Sequence, residues 1–137
     1  MVEFALILPL FVLIVVGIFD LGRAFFAFIA ISNAAREGAR VYTFSPDITT
    51  IQNIETAVTT EIGSSPMVDV GKIVFPIQIE CGSSYQDVPA EIDLEDCPAG
   101  QPIRVTVTYN FDLLISLLFP KPLTLKRSAE MMVPWIK

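Results

Sequence analysis

The residues best equipped for chemistry crowd into one short stretch, "DVPAEIDLED", which holds Asp87, Glu91, Asp93, Glu95 and Asp96. Oxygen ligands at that density suit Ca²⁺. However, the spacing does not supply the Gly at position 6 and the Glu at position 12 that an EF-hand loop needs. Paired carboxylates also serve glycosidases, but the sequence marks no substrate cleft, and a solvated acidic loop accounts for the cluster. The chain has no His, which removes His-dependent triads, imidazole acid–base chemistry and His-containing metal sites. There is no nucleotide-binding motif and no nucleophile elbow. The expectation is a non-enzyme with no cofactor and no metal site.

Two cysteines, Cys81 and Cys97, flank that acidic stretch. In an extracytoplasmic head they would form a disulfide, and closing a loop of that length contributes about 3 kcal/mol in the chain-entropy model. The alternative is a pair of buried free thiols.

Three further charges stand out because of their neighbours. Glu3 precedes a run, Phe4 to Phe19, in which thirteen of sixteen residues are Val, Leu, Ile or Phe. Asp20 and Arg23 then interrupt it, before "AFFAFIAI" (24–31) resumes the apolar character. At i, i+3 on a helix, Asp20 and Arg23 can pair. An acid beside a helix N-terminus is stabilised by the helix dipole, which would suffice for Glu3. An acid among apolar side chains is also costly unless paired. In a polymer of parallel, staggered helices, a neighbour's terminal ammonium could supply the partner and set the axial register. Both readings of Glu3 stand at this point.

The element that must carry these charges is one long helix over residues 2–42, roughly 60 Å at 1.5 Å per residue. Its first half is apolar all round and must be covered by lipid or by other helices. Pro9 removes one backbone donor, and the freed Ala5 carbonyl must find another partner in lipid or against a neighbour. The second half is amphipathic. Ala27, Ala30, Ala34 and Gly38 line one face, small enough for another backbone to approach, whether from a second subunit or from the chain's own head. A secretory signal peptide carries a basic n-region, which this run lacks.

Beyond the long helix, Asp47 is the expected N-cap of a second helix at about 48–62, with Ile48, Ile51, Ile54, Val58 and Ile62 on one face. Strand patterns follow at 72–80, where Pro76 suggests an edge or a bulge, then at 103–111 and 123–133. The predicted class is α+β: a long apolar helix packed on a small antiparallel sheet head with a second helix. The predicted division is a hydrophobic arm, 1–25, and a globular head, 26–137. Residues 1–42 are neutral, so the net charge of −6 belongs to the remainder. An acidic head argues against nucleic acid as a partner.

These residues carry a family resemblance. "VEFALILPLFVLIVVGIFDLGRAFFAFIAISNAAREGARVY" resembles the N-terminal signature of TadE-like proteins, in the tight-adherence branch of type IV pilus systems. The elements that match are Val2-Glu3-Phe4-Ala5-Leu6, Pro9, the Gly17-to-Gly22 stretch and Ala34-Ala35-Arg36-Glu37-Gly38-Ala39-Arg40. "VTVTYNF" followed by "PLTLKRSAEMMV" resembles the C-terminal strands of that family, while 44–100 aligns with nothing. The resemblance implies a type IV pilin-like fold and a subunit made as a precursor, cut by a prepilin-type peptidase and lifted from the membrane into a filament by an ATP-driven machine. It implies copies of itself as partners, a cytoplasmic-membrane location before assembly and an extracellular pilus after it. Glu3, Phe4, Pro9, Asp20 and Arg23 become candidate assembly residues. In the family pattern the acid stands fifth in the mature chain, whereas here it stands third. The competing expectations are a permanent membrane-anchored protein, or a minor tip pseudopilin, whose head binds a partner or surface.

Overall fold

The computed structural model describes residues 2–44, 50–82, 86–87, 97, 99–114 and 121–135, with the side chains of Val2, Glu3, Ala5, Leu6, Gln86 and Asp87 outside that description. Helix α1 runs Val2–Phe44 with Pro9 inside it. Its C-terminal half presents Ala27, Ala30, Ile31, Ala34, Ala35, Ala39 and Tyr42 to the core, all buried. The recurrence at three and four residues makes one continuous face, and alanine keeps the packing partners close. Gly38 marks the tightest approach. A Cβ there would lie 2.9 Å from Val58 Cγ2, 3.2 Å from Ile54 Cγ2 and 3.3 Å from Val105 Cγ1. The small-residue face of the long helix is therefore used within the chain, against its own head.

Helix α2, Ile51–Gly63, packs on α1 through Ile54, Val58 and Ile62. Its N-cap is Thr50, whose Oγ1 accepts the Asn53 N–H at 3.3 Å. The helix thus begins three residues later than the expected start, and Thr50 does the capping assigned to Asp47, which lies outside the described residues. Asp ranks above Thr as an N-cap, so residue type alone points to the earlier position, and the Thr50 hydroxyl caps the helix despite it.

The segment expected as a strand over 72–80 is broken up. A 3-10 turn occupies Val70–Lys72, capped by Asp69 Oδ1 accepting from Gly71 N at 2.9 Å. Ile73 makes a single bridge to Tyr109, and the Phe75–Pro76 peptide is cis. Only Gln78–Cys81 forms a strand, β1. Pro76 has no N–H to give to a ladder, so pairing is interrupted beside it. A two-residue strand, β2 (Gln86–Asp87), was not anticipated. Strands β3 (Pro102–Phe111) and β4 (Leu123–Met132) match the remaining two patterns.

The sheet is antiparallel with order β2-β1-β3-β4. Ten residue pairs, from Pro102 opposite Met132 to Phe111 opposite Leu123, fix the β3–β4 register. Ile103, Val105, Val107, Tyr109 and Phe111 all face the core and are buried. On the other face, Glu80, Arg104 and Glu130 stand opposite one another across β1, β3 and β4. Arg104 donates to both carboxylates at 3.3 Å. The layout is the α+β arrangement expected: α1 lies along β3 and β4, with α2 on its flank.

At the end of the head distant from residue 4, Cys81 and Cys97 are bonded, with Cα atoms 5.8 Å apart, inside the normal range for a disulfide. Tyr42 near the end of α1 donates its hydroxyl to the Cys97 carbonyl at 3.5 Å. At the same end, Gly100 adopts φ +83°, and a Cβ there would fall 2.4 Å from the Trp135 ring. Gly100 N donates to the Val133 carbonyl at 2.8 Å, and Val133 N donates to the Gln101 carbonyl at 2.9 Å, which extends the β3–β4 pairing.

Candidate assembly arm and its junction with the head

The N-terminal part of α1 is bare. Phe4 is 78% exposed, and every large apolar side chain from Ile7 to Ile14 is exposed, as are Ile18 and Phe19. Pro9 lies on this stretch and is exposed too. No described part of the head covers these side chains, and α1 is long and apolar enough to cross a membrane. Gly17 and Gly22 open onto free space: a Cβ at either would meet nothing within 4 Å. The Glu3 side chain lies outside the described residues, as do the side chains of the acidic cluster from Asp87 to Asp96.

Contact with the head begins abruptly at Asp20, which is 3% exposed. Its carboxylate forms an ion pair with Arg23 Nη1 at 3.0 Å, as the i, i+3 spacing predicted. It also accepts the Leu114 backbone N–H with both oxygens. The Arg23 guanidinium sits 5.1 Å from the centre of the Phe111 ring, a cation–π distance. Four groups from two distant parts of the chain therefore lock together where the arm enters the head.

The link to Leu114 was not foreseen. A signal was present: Asp20 stands seven residues before Ala27, two helical turns along the same face, and that face is the one buried in the head. A hydropathy pattern counts Asp20 as a break in the apolar run and so hides its place on the buried face. Arg127 on β4 was also missed. Its guanidinium covers the Phe28 ring at 4.4 Å, so a basic residue stands on the core side of an edge strand, where the alternation called for an apolar one.

Beside Arg23 lies a cleft of about 360 Å³, lined by Arg23, Met67, Asp69, Lys72, Phe111 and Asp112 among others. Lys72 Nζ pairs with Asp112 Oδ2 at 3.0 Å. The hydrogen bond to Asp112, and then its charge, hold Lys72 above the ordinary lysine pKa, so it is an ammonium throughout the neutral range. Among the described residues, no three His, Cys, Asp or Glu side chains gather as metal ligands would.

The long helix thus joins a bare apolar half to a buried Ala-rich half that packs on a small sheet. Residues 1–40 match the model of the TadE-like protein family. Searches of curated proteins and of solved structures gave no match. The TadE-like segment takes in the exposed arm, the Asp20–Arg23 pair and the first part of the buried face, and stops short of α2 and the sheet. Over that segment the chain is similar to TadE-like proteins.

Proposed function

We propose that this chain is a structural, pilin-like subunit of an extracellular, Tad-like type IV pilus filament, assembled through its N-terminal helix. The observation that carries the reading is the exposed apolar arm on the same helix as the folded head. Burying its thirteen large apolar side chains is worth about 20–40 kcal/mol as an upper estimate. Release into water is excluded on that scale. The arm can leave lipid only where neighbouring helices replace the lipid, so polymerisation and extraction are one event. On this reading the cytoplasmic membrane holds the subunit first, a prepilin-type peptidase and a pilus assembly machine act on it, and copies of the chain become its neighbours. Glu3, Phe4 and Pro9 lie in the helix–helix contact, while Asp20 and Arg23 hold the head to the arm.

The test compares sheared-filament with membrane-bound protein for the wild type, Glu3→Ala and Glu3→Gln. If Glu3 serves the helix dipole alone, either change costs roughly 0.3–1 kcal/mol and the ratio barely moves. If it is one half of a buried ion pair between subunits, the orphaned partner costs about 3–5 kcal/mol per subunit, and both variants stay in the membrane. The expected result is the second. A wild-type chain that never appears in sheared filaments would refute the proposal in favour of a permanent membrane anchor.

A further inference from the structure

The cleft beside Arg23 has a composition that neither the arm nor the core requires. It holds two cations, Arg23 and Lys72, and two carboxylates, Asp69 and Asp112, against the apolar walls of Met67 and Phe111. At about 360 Å³ it falls within the size range of small-molecule sites. Among these four side chains the charges balance, and the Asp20 carboxylate that pairs with Arg23 from outside the lining adds a third acid, so the cleft disfavours a simple anion and suits a ligand that carries a cation as well as an anion. Donor capacity remains for such a ligand. A guanidinium has five N–H donors and an ammonium three, and the ion pairs formed by Arg23 and Lys72 engage Nη1 and one Nζ contact. The Asp112 side chain is 60% exposed, so its carboxylate can accept more.

The position of the cleft narrows the choice. It lies at the end of the head from which the bare arm leaves, since Arg23 stands one helical turn beyond Asp20, and Asp112 directly follows β3. Arg23 is nineteen residues past Phe4, about 28 Å along a helix. That is close to the roughly 30 Å hydrocarbon thickness of a bilayer. With Phe4 at one edge of the hydrocarbon, the cleft meets the headgroup layer of the other leaflet. The neighbouring surface suits that level: Leu21, Phe25, Phe26, Met67 and Leu114 are all exposed apolar side chains.

We infer that this cleft binds the phosphoethanolamine headgroup of a membrane lipid, its phosphate at Arg23 and Lys72 and its primary ammonium at Asp69 and Asp112. The ammonium donates hydrogen bonds to carboxylates, which a quaternary choline cannot do. The head, part of a chain with net charge −6, would gain nothing from an anionic lipid surface. This inference rests on the membrane-held stage of the proposed function.

The experiment uses the full chain purified in detergent, with short-chain phosphatidylethanolamine, phosphatidylcholine or phosphatidylglycerol added, and reads lipid retained one-to-one by native mass spectrometry. Free phosphoethanolamine forms a fourth arm. The expected result is retention of phosphatidylethanolamine at least tenfold above the other two lipids. Lys72→Ala should lower it about tenfold or more, the scale of one charge-assisted hydrogen bond. Asp112→Asn should abolish the preference over phosphatidylcholine. Circular dichroism and an intact Cys81–Cys97 bond report that each variant is folded, and the comparison of lipids on the wild type needs no variant. Equal retention of all three lipids overturns the inference, as does preference for phosphatidylglycerol. Binding of free phosphoethanolamine as tight as that of the lipid overturns the assignment to a membrane ligand. Flotation with vesicles separates the two readings. A chain that floats without headgroup preference loses this site alone, whereas one that floats with no vesicle loses the membrane stage as well.

Discussion

The Asp20 carboxylate accepts the Leu114 backbone N–H with both of its oxygens, at 2.8 and 3.0 Å, across ninety-four positions of the chain. This contact joins the long helix to the segment leaving β3 and marks where the free helix ends. Asp20→Ala leaves the Leu114 N–H without its acceptor, a loss of about 1–3 kcal/mol. Asp20→Asn retains an acceptor but not the charge facing Arg23, and should lose less. The partial exposure of Arg23, 32% of its side chain, screens the ionic part of the cost. Thermal denaturation in detergent gives the ranking, and faster amide exchange at Leu114 locates the damage. Wild-type stability in both variants would show that the contact is incidental.

Removal of residues 1–19 should yield a soluble, monomeric head, because it deletes Phe4, the exposed apolar side chains from Ile7 to Ile14, Ile18 and Phe19, and keeps Asp20. Removal of residues 1–25, the arm as read from hydropathy, also takes away Asp20 and Arg23, and should leave a less stable head. Sedimentation and chemical denaturation of the two truncations test this. A shorter truncation that is insoluble, or no more stable than the longer one, contradicts a junction at Asp20.

Gly38→Ala sets two effects against each other. Alanine gains about 1 kcal/mol of helix propensity over glycine, whereas overpacking typically costs 1–3 kcal/mol. The close approach of Val58, Ile54 and Val105 predicts net destabilisation. In a cycle with Val58→Ala, the double variant should be more stable than the sum of the single effects allows. Strict additivity would mean that the helix shifts freely and the contact is not tight.

Without reductant, alkylation should label neither cysteine, and with it, two. Replacing both by serine should cost about 3 kcal/mol and weaken the Tyr42 contact to Cys97. Intact mass and a denaturant titration measure the two outcomes. Free thiols in freshly isolated protein would contradict the bond.

Thr50→Ala should destabilise the head by about 1 kcal/mol, as the loss of an N-cap does, while a change at Asp47 leaves α2 intact. A titration in which Asp47→Ala costs more than Thr50→Ala would return the cap to the earlier residue.

Periodicity carried most of the architecture. Ile103 to Phe111 alternate so regularly that strand, core face and solvent face follow together, and the Ala27-to-Gly38 spacing defines a helix face. Periodicity does not say what covers a face, and the packing of Gly38 against Val58 and Val105 depends on contacts distant in sequence. The same limit hid the Asp20–Leu114 bond and the Glu80–Arg104–Glu130 row, whose members lie on separate elements. The cleft was illegible for a related reason. Arg23, Lys72 and Asp112 come from α1, a 3-10 turn and the end of β3, and none has a local motif. Within 72–80 the alternation was real, but Pro76 allowed a strand only after it.

Trp135 is the only tryptophan. Its ring rests on Gly100 while 83% of the residue remains open to solvent. The chain thereby carries a single indole fluorophore, separable from its three tyrosines by excitation at the red edge, at the opposite end of the head from the arm. Its emission should be that of a water-exposed indole, readily quenched by acrylamide. Immersion of the arm in a micelle or bilayer should leave the spectrum unchanged. Any blue shift during assembly would come from another molecule covering the far end of the head, so one optical signal separates contacts made there from contacts made by the helix.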